Sequence, residues 1–367
     1  MSKPIFLLGE AWGENEAKIG KPFVGPSGIE LMRLLNESRI ISLSPADRGN
    51  ISKYFDTGDP RLLDRVWEMH GEVYRWNVFQ LHPAGNDLRE LCGPQSKGIV
   101  GYPSIGAAKF VRKEFQGELD NLGDRLLDVD PNVVVALGNV ALWALLGSTG
   151  IKKYRGTALL SSHCVAGYKL VATYHPAAIL RDYAMRPTVL FDLIKAKRES
   201  EYPEIRRPPC EIWIEPEIND IQTFFEQNCK AGSTVSVDIE TSGKEITCIG
   251  FAPRRDLAIV IPFDDPRRPG GSYWASAELE RQCWELVRKV LEDSSIYKTF
   301  QNGLYDIAFL FRAVGIRVFG AREDTMLLHH ALQPESPKAL GYLGSLYTDH
   351  GPWKTERKGT ATIKRDE

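Results

Sequence analysis

Short apolar runs alternate with longer amphipathic stretches through the first 200 residues. Runs at 4–8, 73–79, 133–137 and 170–173 end near Gly, Asn or His and read as buried strands. Stretches at 28–37, 104–120 and 139–146 carry helical spacing. Strands alternating with helices predict an α/β domain, a three-layer parallel sheet covered on both faces. In such a sheet the ligand crevice lies beyond the carboxyl ends of the strands. Three of those ends carry polar groups: Gly9-Glu10, Asn77 and His175-Pro176. The pattern then changes. Runs at 234–239, 246–252 and 257–262, separated by turn residues, predict an antiparallel meander. A helix at 277–291, a strand at 296–300 and a helix at 305–314 follow. Between the two patterns lies ESEYPEIRRPPCEIWIEP, rich in Pro and charge, which reads as a linker. The expected organisation is a domain at 1–200, a linker at 201–216 and a second domain at 217–367.

Composition narrows the classes. The 367 residues are 43% hydrophobic and 26% charged, which is globular usage. No apolar window is long enough for a membrane span, and the N-terminal apolar run is too short for a signal peptide. Six scattered cysteines show no C-x2-C pair, so free thiols in a reducing cytoplasm are expected. The net charge of −2 looks wrong for a nucleic-acid partner until the chain is split. Residues 1–200 hold 25 Lys and Arg against 22 Asp and Glu, and the remainder holds 21 against 26. Local basic patches are compatible with that balance.

Residues 9–28 read GEAWGENEAKIGKPFVGPSG, a turn-rich loop directly after a strand. Its five glycines let backbone amides approach a ligand closely. Neither G-x-G-x-x-G nor G-x4-G-K-[ST] is present. The run resembles the first motif of family 4 uracil-DNA glycosylases. Trp76-Asn77-Val78, Ala136-Leu137-Gly138-Asn139, Tyr154-Arg155-Gly156 and Tyr174-His175-Pro176 through Arg181 resemble that family's later motifs, in order. The resemblance implies a pocket for a flipped uracil. Phe23 would stack on the base, and Asn77 would offer a donor and an acceptor to its edge. His175 would stabilise charge on the leaving base. Glu10 and Glu16 would orient water or stabilise the sugar cation. Arg181 would sit on the loop pressing on DNA. Two departures stand out. Trp12 replaces the motif's proline, where its ring is expected to reshape or fill the pocket. Only Cys92 and Cys164 lie in this region, so the family's four-cysteine iron–sulfur cluster is not expected.

The second domain carries carboxylates. Asp238 and Glu240 lie at i and i+2 of a predicted strand, on one face. Apolar flanks suggest a buried strand, where paired carboxylates call for a cation. Gln301-Asn302-Gly303-Leu304-Tyr305-Asp306 and Glu323-Asp324-Thr325-Met326 follow at strand-to-helix junctions. This order resembles the RNase H-like 3′→5′ proofreading exonuclease domain of family A DNA polymerases. The resemblance implies a two-metal site for Mg²⁺ or Mn²⁺, with Asp238, Glu240 and Asp306 as ligands. Asn302 and Tyr305 would position the strand or support the helix, and Asp324 would open a supporting helix. The family's last motif, Y-x3-D, is missing: Ser345 precedes Asp349 by four and Thr362 precedes Asp366 by four. The metal site is therefore expected to be incomplete, with the chain stopping short or completed by another polypeptide.

Together the two resemblances imply the N-terminal half of a bacteriophage-type family A DNA polymerase. The expected role is proofreading during DNA replication, with single-stranded 3′ ends and primer–template DNA as partners. A polymerase domain or subunit is the expected protein partner, and host cytoplasm the expected location. Two alternatives are an active uracil-DNA glycosylase in DNA repair and a non-catalytic DNA- or polymerase-binding subunit.

Overall fold

A computed structural model describes residues 3–268 and 270–351. It divides into two units: residues up to Arg207 with those from Gly341 on, and residues Pro208–Leu340. Among the described residues, no helix is long and apolar enough to cross a membrane.

The first unit is built on strands β1 (Ile5–Gly9), β2 (Val73–Asn77), β5 (Val134–Leu137), β6 (Ala158–Ser162) and β7 (Ala166–Thr173), with a small ribbon of β3 (Cys92–Gly93) and β4 (Phe110–Val111). The main sheet runs β2-β1-β5-β7-β6, parallel except for β6. The side-chain period of two explains its layers. Ile5, Leu7, Val135, Leu137 and Val171 enter one core; Phe6, Leu8, Val134, Ala136 and Ala172 enter the other. Strands buried on both faces read as continuous apolar runs, as the sequence showed.

Two further helices follow: Pro45–Thr57, which has little periodicity, and Pro60–Glu68, which buries Leu63, Val66 and Trp67 on one face. Their caps explain them. Ser44 and Asp47 form a capping box, Asp59 caps the next helix, and each first turn opens on Pro. The helix expected at 104–120 is corrected: this helix begins only at Gln116. Residues 106–108 all adopt positive φ, which turns the chain into β4 instead.

The second unit holds β8 (Glu211–Ile214), β9 (Thr234–Ser242), β10 (Glu245–Arg254), β11 (Leu257–Pro262), β12 (Tyr297–Phe300) and β13 (Ala321–Asp324). Their order is β13-β12-β9-β10-β11-β8. The antiparallel meander β9-β10-β11 is present as the pattern predicted, and β12 joins β9 in parallel. The end of the Pro-rich stretch forms β8, parallel to β11. One face of the sheet packs Val235, Val237, Phe251, Ile259 and Ile261 against helices Ile218–Asn228, Ala277–Glu292 and Gly303–Val314.

The described chain returns to the first unit after Leu340, through helix Leu340–Tyr347. Both ends of the second unit thus connect into the first. Residues 362–366, where the last acidic spacing was sought, lie outside the described residues.

Candidate functional site

The first site gathers at the carboxyl ends of β1, β2 and β7. A cavity of about 310 Å³ is lined there by Glu10, Glu16, Phe23, Asn77, His175 and Arg181, all expected from the sequence. Ser27, Asn86 and Leu88 join them. Ser27 belongs to the 9–28 run, whereas Asn86 and Leu88 lie in no motif, although Pro83-Ala84-Gly85-Asn86-Asp87 is a turn signal after a strand end. Trp12 is outside the lining: its Nε1 donates to Gln80 Oε1 at 3.1 Å. The expectation that its ring fills the pocket is corrected; the side chain of Gln80 holds the indole elsewhere.

Phe23 is held in a costly conformation. Its φ of +59° is unusual for a bulky residue, yet it is almost fully buried. The Trp67 indole donates to its carbonyl at 2.9 Å. Glu16 Oε1 accepts from the next amide, Val24, at 3.0 Å. Gly9 makes room from below: a Cβ there would lie 2.6 Å from Phe23 Cζ and collide with Asn77 Oδ1. Asn77 itself is buried as the last residue of β2.

His175 caps the helix Pro176–Arg181, and its Nδ1 accepts from the Ala177 amide at 3.2 Å. That bond assigns the proton of the neutral ring to Nε2. Burial, and then the Arg181 guanidinium, push the imidazole down to about 4. His175 is therefore a neutral donor at physiological pH. Burial pushes the Glu10 carboxyl up, while Arg181 opposes it.

The second site lies on β9 and the helix after β12. Asp238 faces solvent, and Val237 and Ile239 on either side face the core. The strand is half-buried rather than buried, so this corrects the expectation of charges in an apolar interior. Asp306, on the helix Gly303–Val314, is the buried member. Its Oδ1 accepts from the Ile239 amide at 3.1 Å, between the two acidic positions of β9. Burial raises its carboxyl to about 6; the Ile239 amide opposes this and the charge of Asp238 adds to it. Asp238 also lines an open groove of about 290 Å³ with Ser236, Ala252, Thr299 and Gln301.

Asn302, at φ +62°, caps this helix in the left-handed region. Asp324 holds that turn: it accepts from the amides of Asn302 at 3.1 Å, Gly303 at 2.7 Å and Met326 at 2.9 Å. Burial pushes Asp324 up, but backbone amides outweigh it and hold the carboxyl low. Tyr305 shares a 2.8 Å hydrogen bond with Thr241. Among the described residues, no three His, Cys, Asp or Glu side chains come close enough to form a metal cluster. Asp238 and Asp306 interact electrostatically, but Glu240 does not close a cage with them. The donors fit a hard divalent cation in chemistry, being carboxylate oxygens, one of them raised by burial and further by its neighbour.

Residues 2–197 match the Uracil DNA glycosylase superfamily, and residues 217–359 match the 3′-5′ exonuclease family of DNA polymerase A type. A type-4 uracil-DNA glycosylase of Thermotoga maritima is 27% identical over 197 residues, covering 53% of this chain and 76% of the relative. A DNA polymerase of Bacillus phage SP01 is 23% identical over 263 residues, covering 63% of this chain. The chain spans only 27% of that polymerase. The solved EXO domain of Nibbler from Aedes aegypti aligns at 16% identity, covering 44% of this chain and 81% of that one, with a TM-score of 0.33.

Proposed function

The chain belongs to the uracil DNA glycosylase superfamily and carries a 3′–5′ exonuclease domain behind that part, and from this premise we propose that it is the proofreading portion of a phage-type DNA polymerase. In this reading the second unit removes 3′-terminal nucleotides and the first grips DNA. The placement of Asp306 carries it: a buried carboxylate anchored on the Ile239 amide and repelled by Asp238. Asp238, Glu240 and Asp306 would hold Mg²⁺ or Mn²⁺, and a second ion would need a further carboxylate. When bound there, the cation would supply Lewis-acid stabilisation of the leaving 3′ oxygen. The chain's own groups do the positioning. Asp324 fixes the strained Asn302 turn, and the Tyr305–Thr241 bond holds the tyrosine beside β9. Single-stranded 3′ ends are the expected substrate, and a polymerase domain or subunit the expected partner.

The test is degradation of a 3′-labelled single strand. Activity is expected with Mg²⁺ or Mn²⁺, absent with EDTA, and, with the metal present, raised by adding a polypeptide that carries a Y-x3-D segment. A folded protein inactive in every arm refutes the reading.

The open cavity favours a second reading, uracil excision. Phe23 would stack on an extruded base and Asn77 would read its edge. His175 Nε2–H would donate to the oxygen on which charge develops as the glycosidic bond breaks. Glu10 and Glu16 would stabilise the sugar cation. Abasic-site formation in uracil-containing DNA, independent of metal, is expected. Asn77→Ala should lower it by about 10²-fold, the cost of a lost positioned donor. Unchanged excision in Asn77→Ala excludes this site.

A further inference from the structure

The segment after the second unit is built into the first. Ser345 is buried, and its Oγ accepts from Arg155 Nη1 at 2.7 Å. Arg155 also stacks its guanidinium 5.1 Å from the ring centre of Tyr342. The Tyr342 hydroxyl shares a 2.7 Å bond with Thr188. Lys195 donates to the carbonyls of Gly156, Ser345 and Thr348. Arg155 and Asp192 are each about 1% exposed, a fully buried ion pair.

That pair leads to the base cavity. Arg155 Nε donates to Asp192 Oδ2 at 2.9 Å, and the same oxygen accepts from Thr173 Oγ1 at 2.7 Å. Thr173 is the last residue of β7, two before His175. Its carbonyl accepts from Gly138 at 2.8 Å. Gly138, at φ +93°, passes so close to His175 that a Cβ would lie 3.1 Å from the histidine Cβ. The strand end carrying His175 is thus fixed by a carboxylate, which is fixed by an arginine, which is fixed from the far end of the chain.

We propose that residues 341–349 act as a strap on the base pocket, with Ser345 and Tyr342 as positioning residues for His175 through Arg155, Asp192 and Thr173. A buried ion pair holds its geometry only while all its hydrogen-bonding partners are in place. Withdrawing the strap removes the Ser345 partner of Arg155 and exposes its guanidinium to water, so the arginine holds Asp192 less rigidly. The Thr173–Asp192 bond at the end of β7 is loosened in turn. The assignment to the pocket rests on the base-binding reading above; the coupling itself does not.

The test uses the full chain with Ser345→Ala, Tyr342→Phe, their combination, and Ser345→Arg, which is too bulky to lie against Gly156. Hydrogen exchange at residues 173–177 is followed beside that at 297–306. Loss of two hydrogen-bonding groups should speed exchange at 173–177 by about tenfold in the combined variant, with 297–306 unchanged. Affinity for a uracil-containing single strand should fall in parallel. Faster exchange confined to 341–349, in both the mild variants and Ser345→Arg, overturns the proposal. If the unaltered chain fails to distinguish uracil from thymine strands, the base-pocket reading fails, and the exchange at 173–177 still decides the coupling.

Discussion

Asp306→Asn is expected to abolish 3′-end degradation while making the metal-free protein more stable at pH 8. The activity loss follows from removing the buried carboxylate of the proposed cation site, and should reach about 10³-fold, as for other electrostatic groups at reacting centres. The stability gain follows from its titration. Its carboxyl stands near 6 in the folded chain, raised by burial and, in part, by Asp238, against an ordinary value of about 3.9. The folded state therefore holds the proton more tightly than the unfolded state. The stabilisation is fully present below about pH 4 and is lost as pH rises through about 6. At pH 8 the unaltered protein carries a buried charge that the Ile239 amide compensates only in part, and asparagine removes it while keeping an oxygen for that amide. Urea unfolding in EDTA should show a gain of about 1–3 kcal/mol at pH 8 that vanishes near pH 4. Added Mg²⁺ should close the gap by binding the unaltered protein. A variant less stable at pH 8 would show that the Asp306 charge is already compensated.

Gly28→Ala is expected to be the most damaging single methyl in the first unit. A Cβ at Gly28 would lie 2.5 Å from the carbonyl carbon of Phe23 and closer still to its oxygen. That carbonyl cannot retreat cheaply: it accepts from the Trp67 indole, and Phe23 already stands at positive φ. The cost should be about 3 kcal/mol or more, the sum of a backbone shift and a broken buried hydrogen bond. Gly49→Ala supplies the contrast. It lies in the helix Pro45–Thr57 with nothing near its Cβ position, so alanine should stabilise by about 0.5–1 kcal/mol. Chemical denaturation of both variants checks the pair. Equal midpoints would show that the 23–28 turn relaxes freely.

The sequence and the structure agree where chemistry is local. Strand ends are marked by Glu10, Asn77 and His175 because a parallel sheet directs its carboxyl ends to one side. The period of two in β9 puts Asp238 and Glu240 on one face, but spacing alone does not say which face meets water. That depended on the helices covering Val235 and Val237. At 104–120 the helical spacing was outweighed by three consecutive positive φ values at 106–108. Asn86 and Leu88 reached the cavity from a loop with no periodicity. The bond between Arg155 and Ser345 joins residues 190 apart, and no window of sequence contains both.

That last contact sets an order of events during synthesis. Residues 3–207 leave the ribosome first, with the β1–β7 strands complete. Their buried pair Arg155–Asp192 still awaits a hydroxyl encoded about 150 residues later. At about 5–20 residues per second, the wait is roughly 8–30 s. For that interval the nascent first unit holds a guanidinium open to solvent, and the intervening unit has time to fold. Of the two units, the one that begins folding earlier is therefore completed later.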